Sequence, residues 1–354
     1  MLKVIRALAI SAITLVAIAF VVADTDSVGA TGACQTSVYV ANYNSDDVSV
    51  VDSPSNTVRS SPIAVGAHPV SIAVSPSGDL AYVTNYGSGS ISVINTSSNS
   101  VVSTVSVGGS PFRISLTPNG NFAYVSNNGT NSVSIINTAT NTVVGSPIPV
   151  SPNPIGLAVA PSGAFAYVTS YQNGSVSVID TTTNTVTGTI AVGVQPGVVA
   201  FSPDSTKAYV ANYSSGTVSV INTTTNTVTT TITVGSQPAG LAITPDGAIA
   251  YVTNYLSSTL SVINTNTNTV TATISLGAQP AGVAFTPDGA TAYIANSVAN
   301  SLTAVDVNSN TVTSTVSVGT GPFYLGVLPC AAPTPTTTTT TVAPDPEVIP
   351  SFTG

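Results

Sequence analysis

Charge is what this sequence has least of. Only 5% of its 354 residues are Asp, Glu, Lys or Arg; five are basic, a single histidine is present, and tryptophan is absent. Nucleic acid demands a basic stripe, which cannot be assembled from so few cations under a formal net charge of −8. His68 is the sole histidine and Glu347 the sole glutamate. The positioned pairs of general acid–base catalysis and the converging His or carboxylate ligands of a hydrolytic metal site are therefore missing. No Gly-Xaa-Ser-Xaa-Gly elbow marks a nucleophile. We expect no cofactor and no metal. Asp46-Asp47 is the one acidic pair, and two carboxylates without further ligands make a poor calcium site. Ser, Thr, Asn and Gly are abundant, and 43% of residues are apolar, a balance that fits a packed β protein better than disorder.

The two ends differ from the rest. Lys3 and Arg6 precede an apolar stretch from Ala7 to Ala23, and Val21-Val22-Ala23 offers small residues for cleavage before Asp24. Residues 1–23 thus read as an export signal, with a second candidate cut after Ala30. A retained anchor is the alternative, since 17 residues are at the short limit for a membrane span. Removing the segment leaves three basic against thirteen acidic side chains. At the other end, Ala331–Gly354 runs through Pro333-Thr334-Pro335, Thr336–Thr341 and Pro344-Asp345-Pro346, an extended, solvated spacer that cannot build a core.

Between them, residues 31–330 repeat one unit seven times. Its tyrosines are Tyr39, Tyr82, Tyr124, Tyr167, Tyr209, Tyr251 and Tyr293, spaced by 42 or 43 residues. A fixed period of this size signals a solenoid, propeller or array. Each unit holds four runs rich in Val, Ile, Thr and Tyr, such as Gly240–Thr244, Ala250–Tyr255, Leu260–Asn264 and Thr269–Leu276. Runs one and two are joined by Pro-Xaa-Gly or Pro-Xaa-Ser turns, from Pro76-Ser77-Gly78 to Pro287-Asp288-Gly289. Runs three and four are joined by an Asx and an Asn four apart, from Asp52/Asn56 to Asp306/Asn310, which read as turn formers. Two units carry an extra residue in run four, around Pro62 and Pro147, which puts that run at an outer edge. Run one, small at Gly156, Gly240 and Gly282, is then innermost.

Four-stranded antiparallel sheets repeated seven times around an axis make an all-β, seven-bladed propeller; an open β-solenoid is the competing arrangement. The chain enters at run two (Val38–Tyr43) and leaves at run one (Phe323–Leu328), so its ends are complementary halves of one blade. Cys34 lies five residues before Tyr39, and Cys330 follows Pro329 in the slot filled by Asp246 or Asp288 elsewhere. An even cysteine count in an exported chain suggests a bridge. A Cys34–Cys330 disulfide would close a loop of nearly 300 residues, worth up to roughly 5 kcal/mol in the chain-entropy model.

The second run reads Tyr82-Val83-Thr84-Asn85 and Tyr251-Val252-Thr253-Asn254, with close variants at Tyr39, Tyr124, Tyr209 and Tyr293; the fourth unit has Ser170 in place of the Asn. With the following Val-Ser-Val-Ile-Asx-Thr and Pro-Asp-Gly, the chain from Val38 to Pro329 resembles the YVTN β-propeller repeat family of bacterial and archaeal surface-layer-type proteins. The resemblance implies a seven-bladed, exported or surface-attached protein and does not imply one activity, since propellers host many. The tail resembles the stalk that precedes a cell-wall anchor, which implies a link to the cell envelope.

Ligands of such rings usually approach at the end bearing the loops between runs two and three. The positions just before the seven repeat prolines there are His68, Ser110, Asn153, Gln195, Gln237, Gln279 and Gly321. Their amides either offer neutral donors and acceptors around a channel mouth or tie their own inter-blade loops. One sector breaks the symmetry: His68, Arg113 and Tyr324 open run one in three consecutive units, beside Phe112 and Phe323. These three, with Gln195, Gln237 and Gln279, are the candidate ligand-binding residues for an anionic or sugar-like ligand; the competing reading is that the trio plugs the channel. The expected protein is a secreted or cell-surface, monomeric, non-catalytic scaffold or binding module for a surface ligand, glycan or protein. The alternative is a lactonase-like hydrolase working at His68, Arg113 and Tyr324.

Overall fold

The computed structural model describes residues 36–59, 61–277 and 279–330. The expected export segment, Cys34 and the Thr/Pro-rich tail lie outside the described residues. The chain forms seven antiparallel sheets, one per repeat, each four strands wide. We number the blades from the one that holds both chain ends. Blade 1 pairs Pro322–Val327, Thr36–Asn42 and Asp47–Ser53, and its fourth strand is split into Thr57–Val58 and Ile63–Ala64. Blades 2 to 7 begin with the innermost strands Pro69–Val74, Pro111–Leu116, Pro154–Val159, Pro196–Phe201, Pro238–Ile243 and Pro280–Phe285.

The burial of the strands follows from their residues. In blade 6 the second strand, Ile249–Asn254, is buried at every position after the first, with Tyr251 opposite Ala242 on one neighbour and Val262 on the other. A strand apolar on both faces needs a sheet stacked on each side, which the adjacent blades provide. The outer strand Thr269–Ser275 alternates Thr with apolar residues and is largely exposed. Expected insertions at this edge are where the sheet breaks: blade 1 splits around Pro62, and in blade 3 the register slips next to Gly145 and Pro147.

The ring is closed. Each innermost strand packs against that of the next blade, and Pro322–Val327 packs against both Pro280–Phe285 and Pro69–Val74. Within blade 1, Val38 pairs with Val327, Tyr39 with Gly326 and Val40 with Leu325. Pro329 lies within 3 Å of where a side chain on Gly78 would stand, just as Pro76 does for Gly120, so the chain's end completes the repeat in phase. Cys330 is therefore in the expected slot and is not a free thiol. Its expected partner Cys34 lies outside the described residues.

Two sets of side chains hold blade to blade. The repeat tyrosines are almost completely buried, and their hydroxyls donate to the turn asparagine of the next blade: Tyr124 to Asn184 at 2.6 Å, Tyr209 to Asn268 at 2.9 Å, Tyr251 to Asn310 at 2.6 Å and Tyr293 to Asn56 at 2.8 Å. Tyr39 and Tyr167 do the same with Asn99 and Asn226. The seventh pair fails: the Tyr82 hydroxyl and the Asn141 Oδ1 are both buried without a partner. Two residues on, Thr84, Ser126 and Thr253 donate to carbonyls of the following innermost strand, at Phe112, Ile155 and Ala281. Crowding there is severe. A Cβ on Gly156 would lie 2.4 Å from the Gly197 carbonyl, and one on Gly240 2.2 Å from that of Ala281.

The departure in the fourth unit has a steric partner. In blades 2, 5 and 6 the Asn side chain of this motif presses on a glycine 19 residues earlier, so that a Cβ on Gly193 would meet Asn212 at 2.5 Å and one on Gly235 would meet Asn254 at 2.6 Å; in blades 3 and 7 a Cβ on Gly108 or Gly277 would meet nothing within 4 Å. In blade 4 both members change together. Ser170 replaces the Asn, Ser151 replaces the Gly, and Ser170 Oγ donates to the Pro152 carbonyl at 2.5 Å.

Candidate ligand-binding face and axial cavity

At one end of the ring, the loops between second and third strands meet the links that enter the innermost strands. A backbone hydrogen bond ties them in every blade. Tyr43, Tyr86, Asn128, Tyr171, Tyr213, Tyr255 and Ser297 donate to the carbonyls of Gly321, His68, Ser110, Asn153, Gln195, Gln237 and Gln279, at 2.9–3.1 Å. Each accepting residue has a φ between 41° and 65°, and only one is glycine. Holding a non-glycine residue in this left-handed region costs on the order of 1 kcal/mol.

The side chains at these positions divide. Gln237 Oε1 accepts from Tyr213 Oη at 2.9 Å, Gln195 Oε1 accepts from Ser214 Oγ, and Asn153 Oδ1 accepts from Asn128 Nδ2 at 3.1 Å. Gln195 thereby bonds the loop its own backbone ties, and Asn153 and Gln237 bond the loop of the preceding blade. Gln279 is placed alike by its backbone, its N–H donating to Ser258 Oγ at 3.4 Å. His68 is exposed; its ring stacks on Tyr43 at 4.6 Å, and its N–H donates to Asp46 Oδ1 at 2.7 Å. Asp46 thus serves as a turn acceptor, as Asn131 does for Asn153. Asp47 accepts from Asn42 Nδ2 at 2.6 Å.

The five tyrosines of this end, Tyr43, Tyr86, Tyr171, Tyr213 and Tyr255, are half-buried. Sequence reasoning misses them as a group, although each stands four residues after a motif tyrosine, because in the sequence they extend the second run. Tyr171 and Tyr213 lie 6.3 Å apart, and partial burial raises the phenols of Tyr43, Tyr171 and Tyr213 above their usual range. Around the same end Val194, Leu256 and Val298 are about 60% exposed, one each in the loops of blades 5, 6 and 7.

Beneath the loops an aromatic layer spans the axis. Phe323 lies 6.4 Å from Tyr43, 6.1 Å from Phe112 and 5.0 Å from Tyr324. Tyr324, buried, reaches from blade 1 to blade 6, where its hydroxyl donates to the Ala239 carbonyl at 3.0 Å. It shares a cluster with Val70 of blade 2 and Val198 of blade 5, so the side chain plugs the ring. The Arg113 guanidinium sits 4.0 Å from the Tyr324 ring centre. Burial pushes the Tyr324 phenol up and draws the Arg113 value down. Of the three residues expected at one mouth, Arg113 and Tyr324 meet. His68 stands apart, on the outer side of the aromatic layer.

Past Tyr324 the axis widens into a cavity of about 360 Å³. Every innermost strand contributes to its wall, through Ile72, Arg113, Leu157, Val199, Leu241, Val283 and Leu325. It extends to Pro161, on a turn of the opposite end, so it opens away from the tyrosine face.

The profile of the Choice-of-anchor I domain matches residues 148–325, half of the chain. The chain belongs to the Choice-of-anchor I domain family. The match begins in the outer strand of blade 3 and runs into blade 1, so the family's unit is one stretch of the continuous ring. No curated protein matches the chain. Among solved structures, hydrazine synthase of Kuenenia stuttgartiensis aligns at 22% identity and a TM-score of 0.67, over 72% of this chain and 88% of that one. A functionally unknown protein of Desulfotomaculum acetoxidans aligns at 17% and 0.72, over 83% and 99%. A candidate 6-phosphogluconolactonase of Bacteroides fragilis aligns at 16% and 0.71, over 84% and 99%. At these identities the likeness is one of fold.

Proposed function

We propose that this chain is an exported, cell-surface propeller that works as a non-catalytic binding module, its tyrosine face taking a neutral partner such as a glycan or an uncharged protein surface. One observation carries the reading: five half-buried tyrosines and a set of loop-bound amides share an end of the ring that has exposed apolar residues and very little charge. Half-buried phenols supply flat, rigid stacking surface at low entropic cost, with a polar tip. Six non-glycine residues held at positive φ on the same end are a cost that stability alone does not explain. The family's own description names an anchor, which supports attachment to the envelope through the segment after Cys330, as the YVTN-like repeats also imply.

The hydrolase reading has less support. His68, its only candidate base, stacks on Tyr43 at the surface, separated from Arg113 by Phe323 and Tyr324. A glycan and protein array probed with the full chain tests the proposal. Binding that falls at least tenfold in Tyr171→Ala/Tyr213→Ala, with no lactone turnover, is the expected result. Lactone hydrolysis abolished by His68→Ala would overturn it.

A further inference from the structure

Main chain and one unanswered cation face the axial cavity. Three cations lie among the described residues. Arg59 pairs with Asp52 at 2.8 Å, and Lys207 Nζ donates to the Thr265 carbonyl at 3.0 Å. Arg113 lines the cavity against the π face of Tyr324, and its Nη1 is buried with no acceptor. A guanidinium left in this state destabilises a fold. The repeat does not call for one, since the equivalent residue is Ser71, Gly156, Val198, Gly240 or Gly282 in five other blades. The backbone around it is turned inward. Each innermost strand is the inner edge of its sheet, with no ladder partner on the axial side. In blade 3 the Thr117 N–H donates to the Phe122 carbonyl, which sets the alternation of the hairpin. Ser115, opposite Tyr124, therefore bonds within the sheet, and Ile114, opposite Val125, points its N–H and C=O at the axis. The same turn bond at Ala160, Thr244 and Thr286 does this for Leu157, Leu241 and Val283. Their side chains are buried between blades, so each presents the cavity with a backbone donor and acceptor.

We propose that the cavity binds a small polyhydroxylated monocarboxylate, its carboxylate on Arg113 and its hydroxyls on the inward-facing backbone of the innermost strands. A single guanidinium matches a single carboxylate, in the two-pronged geometry that favours this pair. A second carboxylate would meet backbone carbonyls and no further cation, since neither Arg59 nor Lys207 lines the cavity. A hydroxyl both donates and accepts, so it suits an N–H and a C=O held side by side on one edge. An alkyl chain would strip water from those groups and return nothing. The volume is in the range of small-molecule sites. Tyr324 closes one side, so the carboxylate lies inward and the hydroxyls run toward the Pro-Xaa-Gly end. This site lies on the other side of the aromatic layer from the tyrosine face and does not rest on the reading of that face.

Calorimetric titration of the full chain at pH 7 tests it, with gluconate set against six-carbon controls: hexanoate lacks the hydroxyls, sorbitol lacks the charge, and glucarate carries a second carboxylate. The expected result is saturable one-to-one binding of gluconate, tighter than any control by about tenfold or more. Arg113→Met should weaken gluconate by about thirtyfold while melting no lower than the parent. Hydrogen exchange on the parent locates the site whether or not that variant folds. Gluconate should slow exchange in the innermost strands Pro111–Leu116 and Pro154–Val159 and leave the loops carrying Tyr171 and Tyr213 unchanged. No saturable binding of gluconate overturns the proposal, as does any control that binds equally well. So does unchanged affinity in Arg113→Met, or protection that falls on the tyrosine face instead.

Discussion

The repeat tyrosine does two things at once: its ring fills the space between blades, and its hydroxyl reaches the left-handed Asn of the next blade's outer turn. Removing the hydroxyl from a latched tyrosine leaves a carboxamide oxygen without its donor, a loss of about 1 kcal/mol. Tyr251→Phe should therefore lower stability by about that much in chemical denaturation. Tyr82→Phe should cost nothing or stabilise slightly, because the Tyr82 hydroxyl is already buried without a partner. Equal effects of the two would show that the hydroxyls do not hold the blades. The same burial sets a pH limit. The phenols of Tyr167, Tyr209 and Tyr251 are pushed up from 10.0 to about 12, chiefly by desolvation. Unfolded, they ionise near 10; folded, they keep their protons longer. Their contribution is complete below pH 10 and is lost as pH rises through 12. Circular dichroism and tyrosinate absorbance should then change together in that window, with no tyrosinate signal from these residues before unfolding. The latch was not legible in the sequence as one motif, because its partners are 59 or 60 residues apart, more than one repeat. In the sequence, Tyr and Asn stand as two separate periodicities.

Among the elements, the strands and turns follow closely from local chemistry. The Asn that ends each Asx-to-Asn turn has a φ of 50–55°, and Ser205 takes 62° where five other blades use glycine. Such positions are fixed by residues within a few places in the chain. What crosses between elements was not legible. Sequence position groups Tyr324 with His68 and Arg113 at one mouth, but the length and direction of its side chain carry it across the axis to Ala239. The amides Gln195 and Gln237 fit either a ligand or their own loops in the sequence, and the hydroxyls that their Oε1 atoms accept from lie on loops whose approach local chemistry does not reveal. The Ser170 exception shows how one element constrains another. Ser170→Asn alone should force the new side chain against the Ser151 Cβ and cost about 1–3 kcal/mol, the usual range for overpacking. Ser151→Gly/Ser170→Asn restores the pairing found around Asn212 and Gly193 and should recover at least half of that loss. A double-mutant cycle reads the coupling, which is expected to be of order 1 kcal/mol. Simple additivity would mean that the two serines arose independently of any steric requirement.

At the scale of the whole molecule, stability rests on one joint. Six blades are continuous hairpins, whereas blade 1 is assembled from residues nearly 300 apart, Thr36–Asn42 against Pro322–Val327. Opening that seam exposes two unpaired strand edges and frees the neighbouring blades on one side, so ring opening is the cheapest route to unfolding. A covalent tie at the seam acts on the state in which the ends have parted. The proposed Cys34–Cys330 bridge would do this, since Pro329 already places Cys330 in the slot where other blades have a continuous turn. Most of its effect would fall on the unfolded ensemble, up to roughly 5 kcal/mol for a loop of this length, with strain reducing what is realised. Reductant should therefore lower the melting temperature of the full chain by several degrees and leave Cys330→Ser unaffected. A non-reducing peptide map should show the two cysteines joined in the parent. If parent and variant instead melt together with and without reductant, the ring is held shut by the strand register of blade 1 alone. Substitutions at Val40 or Leu325 would then be expected to unfold the molecule more readily than their counterparts in any other blade.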